Sequence, residues 1–104
     1  MAVSVSLLAA SAAVKIASLD LCADEYLLLL ARRSEIASVT RLAHDPADSV
    51  LWRDARRFPA NKRGLDSILA TRPTLLLSTS GGGRATSLIA ARLGIAPVRL
   101  GFPA

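Results

Sequence analysis

Four groups of residues have types and spacings that bear on chemistry. The first is a glycine loop, Ser78-Thr79-Ser80-Gly81-Gly82-Gly83, followed at once by Arg84. Glycines of this kind let backbone amides approach a ligand, and a following helix start favours anions. The sharp versions of the motif are missing. A P-loop needs Gly-Lys-Ser/Thr, a tripeptide found nowhere in the chain, and a dinucleotide fingerprint needs a third glycine where Thr86 stands. It would also follow the first strand rather than a later one. A plain strand-to-helix turn and a ligand contact both stay open for this loop. The second group is His44 in Leu42-Ala43-His44-Asp45-Pro46. A lone imidazole holds a metal or haem only with converging partners, so an exposed loop histidine held by Asp45 is the simpler expectation. The third is Cys22, the single cysteine, set in an apolar run. It reads as a small buried hydrophobe, since reactive thiols need an electropositive, accessible setting. The fourth is a basic cluster of Arg53, Arg56, Arg57, Lys62 and Arg63. Asp54 interrupts it and Trp52 is its one nearby aromatic, so a solvated face is expected rather than a nucleic-acid site. No carboxylate pair, Ser-His-Asp set or HxxxH spacing occurs. The expectation is a protein that is not an enzyme and needs no cofactor or metal.

The elements that would position these residues alternate. Residues 14–19 alternate apolar with polar or small side chains and read as a first strand. Asp20 is a good N-cap for a helix over residues 21–33, with Asp24 and Glu25 in its early turns and Arg32 and Arg33 at its end. The run Leu27-Leu28-Leu29-Leu30 makes that helix apolar nearly all round, as for a helix wedged against a sheet. A second strand covers residues 35–40. A long polar and basic connection follows over 41–63, with a short helix within 48–57. Leu65, Ile68 and Leu69 mark a helix over 65–71, ended by Pro73. Residues 74–78 form a continuous apolar strand, the signature of a strand buried on both faces of a parallel sheet. A helix over 84–93 turns Leu88, Ile89 and Leu93 inward, Gly94 closes it, and residues 96–100 are the last strand. The order predicts an α/β fold: a doubly wound, mostly parallel four-stranded sheet flanked by helices. Ligands in such sheets sit beyond the carboxyl ends of the strands. That confines the search to residues 19–22, 40–44, 78–84 and 101–102.

The bulk properties agree with one small domain. The chain has 104 residues, 52% of them hydrophobic and 20% charged, which excludes a disordered charged tail. Its net charge of +5 is uneven, because the first 30 residues hold only Lys15 against Asp20, Asp24 and Glu25. Residues 3–14, VSVSLLAASAAV, carry no charge and are too short to span a bilayer. With Ala10-Ser11-Ala12 as a small-x-small site they read as a secretory signal over 1–12, although no basic leader precedes them. A first buried strand is the competing reading.

The chain also resembles a known family. VKIASLDLCADEYLLLLA is similar to the opening of class III periplasmic binding proteins, the substrate-binding components of ABC importers for cobalamin, ferric siderophores and haem. The likeness continues through EIASVTRLAHDP, RRFPAN and LDSILATRPTLLLSTSGGGRATSLIAARLGI, over roughly residues 14–103. The family fold has two α/β lobes joined by a long helix, with the ligand held between them. The resemblance implies an amino-terminal lobe over 13–104, a truncated product located in the periplasm, monomeric, that hands a corrinoid or iron chelate to an ABC permease in the inner membrane. It implies no nucleic-acid partner. Carried over by position, the ligand contacts would be Leu21, Cys22, Arg41, His44, Ser80, Gly81, Gly82, Gly83, Arg84 and Phe102. One departure concerns docking: cobalamin-binding relatives have an acidic residue where Arg84 stands, and Asp66 would have to substitute. The alternative is a cytoplasmic nucleotide- or phosphosugar-binding domain of an enzyme, with Gly81 to Arg84 as its anion site. A third reading is a small interaction module that uses the basic face between Arg53 and Arg63.

Overall fold

The computed structural model describes residues 14–79 and 83–101. The proposed signal over 1–12, together with Ser80, Gly81, Gly82 and Phe102, lies outside the described residues.

Among the described residues five strands form one sheet, β1 (Ile16–Ser18), β2 (Ile36–Thr40), β3 (Ala60–Asn61), β4 (Leu75–Ser78) and β5 (Ala96–Arg99). Their order is β3-β2-β1-β4-β5, and every pairing is parallel. The described residues include the connecting helices α1 (Leu21–Leu30), α2 (Trp52–Ala55), α3 (Leu65–Leu69) and α4 (Arg84–Arg92). Short 3-10 turns at Arg33–Glu35 and Arg41–His44 flank β2. The fold is therefore α/β with a doubly wound parallel sheet. The added strand is β3, two residues long, whose pairing Val39↔Ala60 and Thr40↔Asn61 extends the sheet beyond β2. Two residues inside a polar connection carry no periodicity, so this strand has no signature in the sequence.

The pleat sorts the core into two layers. Ile16, Leu75 and Leu77 join Ala23 and Leu27 of α1 and Ala55 of α2 on one face. Ala17, Leu19 and Leu76 join Ile68 of α3 and Ala90 of α4 on the other. Neighbours along one strand thus belong to opposite layers, as alternation requires. The chain changes face on passing from β3 to β4, which makes the gap between β1 and β4 the topological switch point.

Two helices pack differently from the sequence expectation. α1 stops at Leu30 rather than Arg33, and Leu29 and Leu30 are 68% and 78% exposed. Only Ala23, Asp24 and Leu27 of this helix are fully buried, because a single sheet face covers a single stripe. On α4 the inward residue is Ala90, while Leu88 is 69% exposed and Ile89 and Leu93 also lie open. A small side chain there lets the helix approach the sheet and leaves its longer neighbours outside. Gly94, with φ +86°, ends α4 in the left-handed conformation that the sequence suggested.

Candidate functional site

The carboxyl ends of β1, β2, β3 and β4 are tied together by buried polar side chains. Asp20 caps α1 by accepting from the Ala23 N–H at 2.8 Å through Oδ1. The same carboxylate accepts from the Thr79 N–H at 2.7 Å and the Thr79 hydroxyl at 2.9 Å. One side chain thereby starts the helix and fastens the end of β1 to the end of β4. One turn on, Asp24 is wholly buried and accepts from the Thr40 N–H at 2.8 Å and from the Thr40 hydroxyl. This fastens α1 to the end of β2. Burial pushes the Asp24 carboxyl above its ordinary range, against the lowering effect of the Thr40 and Ser18 hydrogen bonds, with the neighbouring Asp20 charge adding to the rise.

Asn61 completes the set from β3. Its Nδ2 donates to the Ser18 carbonyl at 2.9 Å and to the Ser38 hydroxyl at 2.8 Å, bridging β1 and β2. Its Oδ1 accepts from the Arg63 N–H at 2.9 Å. Arg63, at φ +68°, then donates from Nε to the Leu19 carbonyl at 2.8 Å. Among the described residues no buried side-chain nitrogen or oxygen lacks a hydrogen-bond partner. A satisfied buried network of this kind holds the strand ends in fixed relation.

Over these strand ends lies a crevice of about 440 Å³, lined by Arg41, Leu42, Lys62, Arg63, Gly64 and Gly83. Three basic residues line it and, among the described residues, no carboxylate does. Gly83 is the N-cap of α4 with φ +80°, and a Cβ there would stand 3.1 Å from Leu19 Cδ1. The position needs glycine both for backbone conformation and for close approach to β1. The volume falls in the range of small-molecule sites, roughly 300–1,000 Å³. The charge pattern suits an anionic ligand.

The structure regroups the residues singled out from sequence. Arg41 and Gly83 meet in the crevice, joined by Lys62 and Arg63, which the sequence placed on a solvated basic face. That basic cluster is divided. Arg53 and Arg56 instead lie over the Trp52 ring, at 4.5 Å and 4.6 Å from its centroid, so the lone aromatic does serve as a stacking surface, for the chain's own arginines. His44 is not in the crevice. It is half-buried, and its Nε2 donates to the Phe58 carbonyl at 3.0 Å while its own carbonyl accepts from Arg56 Nε. It is therefore neither an open loop histidine nor held by Asp45. Cys22 is exposed rather than buried, because it sits one position off the inward stripe of α1, beside Glu25, Tyr26 and Leu29 in a separate shallow depression. Leu21 packs against the core layer of α1. Arg84 lines a different groove, with Arg99, on the far side of α4. Among the described residues no three His, Cys, Asp or Glu side chains converge as a metal site would require.

Lys62, Arg63 and Gly64 line the crevice without having been singled out as strand-end residues. The left-handed backbone at Arg63 and its hydrogen bond to Leu19 depend on β3, which has no sequence signature. Asn61 is the one discoverable cue, a lone amide next to a proline-bounded turn. The fold and crevice together define a doubly wound α/β domain with a cationic cleft at its carboxyl edge. No family model matches this chain, and no curated protein matches it. No described helix is long and apolar enough to cross a membrane.

Proposed function

We propose that this chain is a substrate-binding lobe of an ABC importer for a corrinoid or iron chelate, working in the periplasm and delivering its ligand to an inner-membrane permease. The supporting observation is the crevice: Arg41, Lys62 and Arg63 line it and, among the described residues, no carboxylate does. Its position beyond the strand ends is where doubly wound sheets take ligands. On this reading the chain captures and releases without chemistry. The three cations favour the anionic members of the ligand class, ferric citrate-like chelates and haem, over neutral ones. Arg63 is held in place by Asn61 and Leu19, so its remaining guanidinium donors are pre-oriented, which lowers the ordering cost of binding.

Calorimetric titration with ferric citrate, haem, cobalamin and ATP separates this reading from a nucleotide-binding enzyme domain, because the same cations would also accept a phosphate. Ferric citrate or haem should bind, and Lys62→Ala should weaken that binding roughly tenfold, the loss of one partly desolvated charge-assisted contact. Tight ATP binding with no response to the chelates would overturn the importer reading and leave the cytoplasmic alternative.

A further inference from the structure

Away from the crevice, β5 and α4 bound an apolar groove on the open edge of the sheet. Arg84, Ser87, Leu88 and Ala91 of α4 form one of its walls, and Ser78, Pro97 and Arg99 lie along its floor. The α4 residues stand at i, i+3, i+4 and i+7, a single helical stripe. All four residues of β5 are exposed, and Leu88 is among the most open apolar side chains of the domain. Parallel strands are ordinarily covered on both faces, so β5 is a strand that lacks its covering layer.

The geometry points to an acidic amphipathic helix, from a partner protein, as what this groove receives. Three observations select that occupant. First, a strand cannot extend the sheet well here. Ala96 N–H donates to the Thr74 carbonyl and Leu100 N–H to the Ser78 carbonyl. By alternation Pro97 and Arg99 turn their backbone to the open edge, where Pro97 has no N–H to offer. Second, the element that covers a parallel strand in an α/β layer is a helix lying beside its neighbour, and the groove runs along α4 in that position. Third, Arg84 and Arg99 line it, Arg92 ends α4, and no Asp or Glu follows Asp66 anywhere in the sequence. A second copy of the chain docking face to face would set arginines against arginines, since a two-fold contact presents the same patch from both sides and this patch carries charge of one sign. A helix with leucines on one stripe and glutamates flanking them matches both the groove and its rim.

The test uses two synthetic helical peptides of roughly 16 residues, long enough to hold a helix. Both carry the same leucine stripe, one flanked by glutamates and the other by lysines. Amide shifts in the NMR spectrum of the whole chain report the contact. The glutamate peptide should move Arg84, Ser87, Leu88 and Arg99, and should bind roughly tenfold more tightly than the lysine peptide, the effect of about two exposed ion pairs. Arg84→Glu with Arg99→Glu should reverse that preference, and Leu88→Ser should weaken both peptides. Both changes fall on exposed residues and leave the core intact, which circular dichroism verifies. Equal binding of the two peptides, shifts elsewhere than α4 and β5, or sedimentation showing that the groove is filled by a second copy would each overturn the proposal. None of these outcomes depends on what the cationic crevice binds.

Discussion

Two regions of the sheet, the carboxyl ends of β1 to β4 and the open edge at β5, are stabilised by opposite means. Around the carboxyl ends of β1 to β4, Asp20, Asp24, Thr40, Asn61 and Thr79 are buried and every one is hydrogen-bonded across elements. At β5 the backbone ladder with β4 is present but the strand is exposed throughout, and apolar side chains face outward. The first region spends its polar groups on holding a crevice rigid. The second keeps an uncovered surface that only a partner element would bury. A buried polar network is costly to break and cheap to keep, whereas an open apolar groove costs little to alter until something docks in it.

That contrast sets the expected order of mutational effects. Asp20→Ala should be the most damaging change, because it removes the α1 cap and leaves the Thr79 N–H buried without a partner. A loss of about 3–4 kcal/mol in denaturant unfolding is expected. Asn61→Ala should cost about 2–3 kcal/mol by the same measurement, since it unties the Ser18 carbonyl, the Ser38 hydroxyl and the Arg63 N–H. Asn61→Asp should be no better, because a carboxylate cannot donate to the Ser18 carbonyl. Gly83→Ala should cost about 1–2 kcal/mol, from a left-handed backbone and a Cβ pressed on Leu19. Ligand affinity in the crevice should fall with it if the crevice binds as proposed.

Asp24→Asn is expected to be milder still at neutral pH, and its signature is a change of pH dependence. Burial raises the Asp24 carboxyl, so the folded chain holds that proton more tightly than the unfolded one. The group's contribution is fully present below the ordinary carboxylate pKa and is lost as pH rises through the raised folded value. Asparagine does not titrate and keeps an acceptor for the Thr40 N–H and a donor for its hydroxyl. The variant should therefore gain on the parent as pH rises through that window, and unfolding curves at a series of pH values would show the two converging at the acid end. At the other end of the sheet, Leu88→Ser should change stability by no more than about 0.5 kcal/mol, as for an exposed site. A large loss there would mean that the groove is already filled in the isolated chain and would erase the contrast.

The alternating pattern at residues 14–19, the apolar run at 75–77 and the helix punctuation at Asp20, Pro73 and Gly94 were enough to predict a doubly wound parallel sheet. Local rules govern those features: period, caps and breakers act within a few residues of where they are read. Arg41 and Gly83, picked out because strand ends and glycine loops mark the carboxyl edge, both line the crevice there.

What lay beyond the sequence depended on contacts between distant residues. Asp24 meets Thr40 from 16 positions away, and Asn61 reaches Ser18 across 43. The first distance closes when α1 packs beside the end of β2; the second closes only once β3 pairs with β2, and two residues of strand are too short to print a period. The exposure of Cys22 and Leu88 was likewise decided by which stripe of each helix the sheet covered. Hydropathy reports that a side chain is apolar; packing decides whether anything lies against it. The sequence by itself therefore determined the layers and their order, through local backbone preference and periodicity. Tertiary structure alone decided that Lys62 and Arg63 turn into one crevice with Arg41, because their direction is set by a bridge between strands that no neighbouring residue encodes.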